Sequence, residues 1–258
     1  MVKTSIMQPT ECRRITEQHG VFSLLEYARD VSVTAANATS EYFAAQMGVR
    51  KRQVVANLNG SGIIVQAGAM QWMAGNVEAA SNVTGAGDLA KKLIGGKVTG
   101  ESAIKPRYHG VGTIVLEPTY KHLLFEDVSQ WEGGMVIEDQ LFYACDDTVI
   151  SKVVARSTLS SAALGGEGLF NNCLSGTGIA VLESSVPRSE LVVMELTEPS
   201  DVVKIDGNMA IAWSNSLKFT VERTTKTLLG SAASGEGFVN VYRGRGRILM
   251  APVAKSTV

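Results

Sequence analysis

The sequence predicts an all-β protein built from three tandem copies of one unit, and three observations carry that expectation. Blocks of similar residues recur in one order along the chain. Each block is short and rich in Val, Ile, Leu and aromatics, as a strand is. The blocks are separated by glycine-centred turn chemistry, with little helical periodicity between them. Many short strands at even spacing build a sandwich, a barrel or a prism.

The first block is Val54-Val55-Ala56-Asn57-Leu58, which recurs as Leu124-Phe125-Glu126-Asp127-Val128 and Val192-Val193-Met194-Glu195-Leu196. The second runs from Val65 to Trp72 and recurs from Ile137 to Ala144 and from Ile205 to Ala212, displaced by 72 and then 68 residues. Within it Asp206-Gly207-Asn208, between two apolar runs, predicts a hairpin turn. The third begins at Gly100-Glu101-Ser102 and reaches Gly110-Val111-Gly112 and an apolar run. It recurs from Gly166-Glu167-Gly168 to Gly176-Thr177-Gly178, and from Gly235-Glu236-Gly237 to Gly244-Arg245-Gly246. Each Gly-x-Gly allows a positive φ or a tight corner where a strand enters.

Two stretches depart from the repeat. Residues 39–48, from Thr39 to Gly48, have a capping hydroxyl, helix formers and a terminal glycine, and predict a short helix followed by the basic run Arg50-Lys51-Arg52. Val21 to Val33 before it predicts one or two edge strands. The first unit also carries an insertion at 85–97, where Asp88 and Gly95 bracket a possible helical turn. The expected division is therefore an N-terminal extension at 1–48 and modules at 49–122, 123–189 and 190–258.

The 258 residues are 45% hydrophobic and 19% charged, enough to bury a core. Twenty-four basic against twenty-five acidic residues leave a net charge of −1, which argues against strong nucleic-acid binding. The first residues lack an apolar signal region, and no apolar run approaches a membrane span, so a cytoplasmic, soluble chain is expected. Cys12, Cys145 and Cys173 show no C-x-x-C spacing and read as reduced thiols, the latter two in the core.

The triplicated blocks resemble the altered-inheritance-of-mitochondria, member twenty-four family, through Gln66-Ala67-Gly68-Ala69-Met70, Gly166-Glu167-Gly168-Leu169-Phe170 and Gly235-Glu236-Gly237. The resemblance spans roughly residues 50 to 252. It implies three pseudo-symmetric β-sandwich modules of the shortened double-stranded β-helix type. Their fold would be similar to that of the tryptophan RNA-binding attenuation protein, assembled as a ring-like homotrimer. It implies no established enzymatic activity, and, through the eukaryotic branch, a link to the mitochondrial inner membrane. Fold similarity does not carry RNA binding with it.

Catalytic constellations are not evident. None of His19, His109 and His122 lies three or four residues from another ligand type on a helix, and they read as surface or loop residues. No Gly-x-Ser-x-Gly elbow is present, and Gly85-Ala86-Gly87-Asp88 and Gly165-Gly166-Glu167-Gly168 fail the phosphate-loop and dinucleotide patterns. Arg243, Arg245 and Arg247 would share one face if they shared a strand, where they could meet an anion; a solvated, blunted edge is the favoured reading. Glu101, Glu167 and Glu236 recur at one position, and three converging carboxylates would demand a cation, making them the candidate metal site. The simpler reading is that each Glu accepts hydrogen bonds from its own turn.

The expected function is that of a non-enzymatic, homo-oligomeric scaffold or interaction protein, without cofactor, whose ring surface or N-terminal extension engages a protein partner. Leu89, Leu93 and Ile94, with Lys91 and Lys92, would add weak peripheral membrane contact. The alternative is a module that binds a small ligand or ion in intermodule clefts or at the repeated glutamates.

Overall fold

The computed structural model describes residues 2–80, 105–155, 170–207, 209–223 and 238–252. They form an all-β protein with one α-helix among the described residues. Two strands come first: β1 (Arg13–His19) and β2 (Phe22–Tyr27) pair antiparallel, and β2 pairs on its other side with the strand that begins at Arg52, so β1 alone lies at the edge and the extension begins its strands earlier than Val21. The helix α1 (Ala38–Gln46) lies within two residues of its predicted place.

Its end follows from glycine chemistry. Gly48 takes a left-handed φ of +79°, which lets the Val49 amide reach the Ala44 carbonyl and the Gly48 amide reach that of Ala45. No residue of α1 is buried, and Tyr42, Phe43 and Met47 are exposed.

The first repeat contributes three long strands, β3 (Arg52–Val65), β4 (Met70–Ala80) and β5 (Arg107–Leu116). The Gly-x-Gly strand β5 lies between the others, with Val115 opposite both Val55 and Trp72. Close approach demands glycine there, because a Cβ on Gly112 would lie 2.2 Å from the Ala74 carbonyl oxygen.

The second repeat splits each of these strands in two: β6 (His122–Asp127) and β7 (Met135–Ile137), β8 (Phe142–Asp146) and β9 (Val149–Ala155), β10 (Phe170–Gly176) and β11 (Ile179–Ser184). The third does likewise with β12 (Val192–Leu196) and β13 (Val202–Asp206), β14 (Ala210–Ser214) and β15 (Lys218–Arg223), β16 (Phe238–Arg243) and β17 (Gly246–Met250). The pairing is nevertheless the same. Val181 of β11 faces Phe125 and Ala144, and Leu249 of β17 faces Val193 and Ala212.

Asp206 and Gly207 do not close a hairpin as expected. β13 pairs with β16 and β14 with β17, because the break at Gly244–Gly246 divides the middle strand and the chain changes sheet at the turn. Asn208 lies outside the described residues.

The apolar clusters run along the chain in steps. One joins Phe22, Val54, Ile63 and Ile114 to Tyr143 and Val181 of the second repeat. Another joins Phe142, Leu174 and Leu182 to Ala212 and Leu249 of the third, and a further one packs Val136 and Cys173 against Trp213, Tyr242 and Ile248. Ile64 of the first repeat packs against the same cluster as Ala212 and Leu249, so that cluster touches all three repeats. Each fully buried aliphatic side chain here contributes about 1.5–3 kcal/mol of transfer free energy.

Candidate functional site

Glu101, Glu167 and Glu236, the candidate metal site, lie outside the described residues, as does the 85–97 insertion. Among the described residues no group of three or more His, Cys, Asp or Glu is placed to hold a metal ion. His19 stacks on Phe125 at 4.9 Å between centroids, and His109 is exposed on β5. Burial first, and then the Arg52 guanidinium, push the half-buried His122 imidazole below its usual range.

The three arginines do not share a strand face. Arg243 ends β16, Arg245 sits in the break and Arg247 lies in β17, and each meets a different carboxylate: Glu222 at 2.7 Å, Glu198 at 3.5 Å and Glu195 at 2.6 Å. The break that lets the middle strand change sheets also scatters the guanidinia.

A second charged cluster pins the extension to the first repeat. Glu26 on β2 accepts from Arg14 at 2.7 Å and from Arg50 at 2.9 Å, with Arg52 at 3.4 Å. Burial pushes the Glu26 carboxyl up, but the three guanidinia outweigh it and hold the group below its ordinary range.

The junctions between repeats have the most specific construction. β3 pairs with β8, setting Ile64 opposite Cys145 and Val65 opposite Ala144. β7 pairs with β14 in the matching register, Val136 opposite Trp213 and Ile137 opposite Ala212. At the start of β4, β8 and β14 the register slips by one residue, at Gln71, Tyr143 and Ile211. Such a bulge re-aims the backbone of the extra residue. The Tyr143 carbonyl thereby accepts the Gln66 amide at 2.9 Å, and the Ile211 carbonyl accepts the Glu138 amide at 3.0 Å.

The same rule would place β13 against β4, yet among the described residues these two strands are not paired. Met73 is 42% exposed, whereas its counterparts Cys145 and Trp213 are 0% and 4% exposed. Val202 and Lys204 on β13 are exposed as well, while the counterpart of Lys204 in the second repeat, Val136, is buried. Among the described residues, two complementary sheet edges are therefore unpaired, one on the first repeat and one on the third.

The two closed junctions also differ from each other. Between the first and second repeats, buried Tyr143 fills the cleft beside the bulge and donates its hydroxyl to the Glu117 carbonyl at 2.6 Å. Between the second and third, Ile211 stands in its place, and a cleft of 640 Å³ remains. None of this was singled out from sequence, although the repeat alignment already sets Gln71, Tyr143 and Ile211 in one column.

A family model described as "Mitochondrial biogenesis AIM24" matches residues 46–253. An uncharacterized protein of Streptococcus pyogenes serotype M6 is 26% identical over 197 residues, covering 74% of this chain and 76% of that one. The crystal structure of a Streptococcus pyogenes protein has a similar fold, with a TM-score of 0.57 at 22% identity, covering 93% of this chain and 94% of that one.

Proposed function

Because the chain belongs to the mitochondrial biogenesis AIM24 family, we propose that it is a non-enzymatic scaffold that assembles head to tail with copies of itself into a ring-like homotrimer. The observation that supports this reading is the pair of edges, on β4 and β13, that are unpaired among the described residues. The rule that joins repeats within the chain, continued once more, sets Ile205 opposite Trp72, Lys204 opposite Met73 and Val203 opposite Ala74 of a neighbouring copy. The Asp206 amide then meets the bulged Gln71 carbonyl, as the Gln66 and Glu138 amides meet theirs. The two edges differ, so the contact is heterologous, and three copies close it into a ring without a free end. The exposed Tyr42 and Phe43 of α1, with Met47 just past its end, offer an apolar surface to a protein partner. No helix among the described residues is long and apolar enough to cross a membrane, so membrane contact in this reading is peripheral.

Cross-linking tests it. In the register above, Val203 and Ala74 form a pair without mutual backbone hydrogen bonds, the closer of the two antiparallel spacings and suited to a disulfide. In a Cys12→Ser background, Val203→Cys mixed with Ala74→Cys is expected to form an intermolecular disulfide that neither variant forms alone. Native mass spectrometry is expected to show three chains of 27.4 kDa. A single-chain mass without the disulfide would overturn the reading; a two-chain mass with it would retain the edge contact and overturn the trimer.

A further inference from the structure

We infer that the edge of β12 receives an extended segment of a protein partner, apolar in sequence and carrying a lysine or arginine beside Glu190, which adds antiparallel as one more strand. The edge lies within one chain and ahead of β13, so this does not rest on the ring proposed above.

The three repeats treat this one edge in three ways. In the first repeat it belongs to β3, and β2 pairs along it, with Ser23 opposite Val55 and Leu25 opposite Gln53. In the second it belongs to β6, where the Arg188 guanidinium donates to the Phe125 carbonyl at 2.9 Å. In the third it belongs to β12, which pairs with β17 and, among the described residues, with no strand on its other side. Val54 and Val55 are buried, as are Leu124 and Phe125, whereas their counterparts Val192 and Val193 are 40% and 50% exposed. Exposed valines along an unpaired edge form a template for strand addition.

The direction of the backbone fixes which groups are on offer. The Tyr27 amide reaches the Lys51 carbonyl and the Asn57 amide reaches that of Val21. By the alternation of an antiparallel ladder, Gln53 and Val55 therefore also turn their amides and carbonyls toward β2. Their counterparts are Leu191 and Val193, with Glu195 in the place of Asn57. The other side of β12 agrees: the Arg247 amide turns to the Ser214 hydroxyl, away from Glu195 opposite it. The Leu191 amide is engaged by the Arg188 carbonyl at 3.3 Å. Val193 and Glu195 thus present their main-chain groups to the unpaired side.

Charge names the kind of strand. In the first repeat Glu26 of β2 lies opposite Arg52, 3.4 Å from its guanidinium. The third repeat holds Glu190 in the place of Arg52, exposed and without an ion-pair partner among the described residues. The neighbouring Glu195 is already met by Arg247 at 2.6 Å, and Arg188 by Glu126. The charge at the start of the edge is inverted, so a strand like β2 with a cation in place of its glutamate is the complement.

The test uses the full chain and a fluorescently labelled peptide of residues 20–28 carrying Glu26→Lys, beside the unaltered peptide. Anisotropy is expected to show the lysine peptide binding and the glutamate peptide about five-fold weaker. Methylating the peptide nitrogen of Ser23, whose amide would meet the Val193 carbonyl, is expected to weaken binding at least about ten-fold. Methylating that of Leu24, which faces away, is expected to leave it within about two-fold. In the protein, Glu190→Lys at its exposed position is expected to reverse the preference between the two peptides, which separates binding at β12 from displacement of β2. No binding of the lysine peptide, equal sensitivity to the two methylations, or a preference that Glu190→Lys leaves unreversed would overturn the proposal. So would a smaller assembly of Val193→Pro in native mass spectrometry alongside a wild type that binds no peptide, which would give the edge to a second copy of the chain.

Discussion

Tyr143 donates its buried hydroxyl to the main-chain carbonyl of Glu117 across 2.6 Å, and this contact seals the junction of the first two repeats. Its counterpart Ile211 makes no such bond, so two junctions built on one register are filled differently at this position. Tyr143→Phe removes the donor from a buried carbonyl and is expected to destabilise the protein by about 1–2 kcal/mol at neutral pH, read from urea unfolding. Burial first, and then the Glu183 and Glu117 carboxylates, raise the phenol above its ordinary pKa of 10.0. A raised pKa means that the contribution is complete below the unfolded value and is lost as the pH rises past it. The gap between wild type and variant should therefore narrow above about pH 10, and a constant gap would contradict the assignment.

Asp30 behaves in the opposite sense. The Lys51 ammonium, and then the Ser32 hydroxyl and amide, hold its carboxyl at about 2. A depressed pKa stabilises above the unfolded value of 3.8 and ceases to as the pH falls through the folded one. Asp30→Asn is expected to cost about 0.5–1 kcal/mol at pH 7, little because the pair is partly solvated, with the cost shrinking through pH 2 and vanishing only below it. Thermal melts of both proteins across that range decide it; a penalty that persists at the acid end would assign the effect to something other than charge.

The cysteines should separate by burial. Cys145 is fully buried, and its thiol is pushed up to about 12; burial raises Cys173 as well, while Cys12 is partly exposed. A thiol reagent at pH 8 is expected to modify Cys12 alone in the native protein and all three cysteines in denaturant. Rapid native labelling of Cys145 would mean that the seam between β3 and β8 opens readily.

At Gln140 the left-handed backbone disfavours any side chain. Gln140→Gly is expected to raise stability by up to about 1 kcal/mol, less whatever entropy glycine adds to the unfolded chain. A loss of stability, measured by chemical denaturation, would show that the glutamine side chain makes a compensating contact.

Gly112 is the reverse case. A Cβ there meets the Ala74 carbonyl oxygen at 2.2 Å, backbone against side chain with nothing flexible to yield. Gly112→Ala is expected to cost more than about 2 kcal/mol by forcing β4 and β5 apart. A change within error would mean that the two strands separate without penalty.

Much of this molecule could be read from residue order. The recurrence of Val54–Leu58 at Leu124–Val128 and Val192–Leu196 marks three β repeats because apolar, β-branched blocks at even spacing have few other uses. Thr39 to Gly48 announced a helix through its helix formers and its terminal glycine, both local signals, but the expected capping hydroxyl lies inside the helix, whose N-cap is Asn37 with no side-chain cap bond. Asp206-Gly207 misled because turn chemistry states that the chain reverses, and not which strands then pair. Arg243, Arg245 and Arg247 misled in the same way: their spacing assumed one continuous strand, and the Gly244–Gly246 break divides it.

The sequence by itself determined the all-β class, the threefold repetition and the family, since each rests on patterns internal to short stretches of chain. Tertiary structure alone decided that β3 meets β8 and β7 meets β14, while β4 and β13 are not paired with each other among the described residues. It also decided that replacing Tyr143 by Ile211 turns a filled seam into a cleft. The physical reason is that hydrogen-bond partners and packing volume are set between segments far apart in sequence. A residue's neighbours across a sheet are therefore not written beside it in the chain.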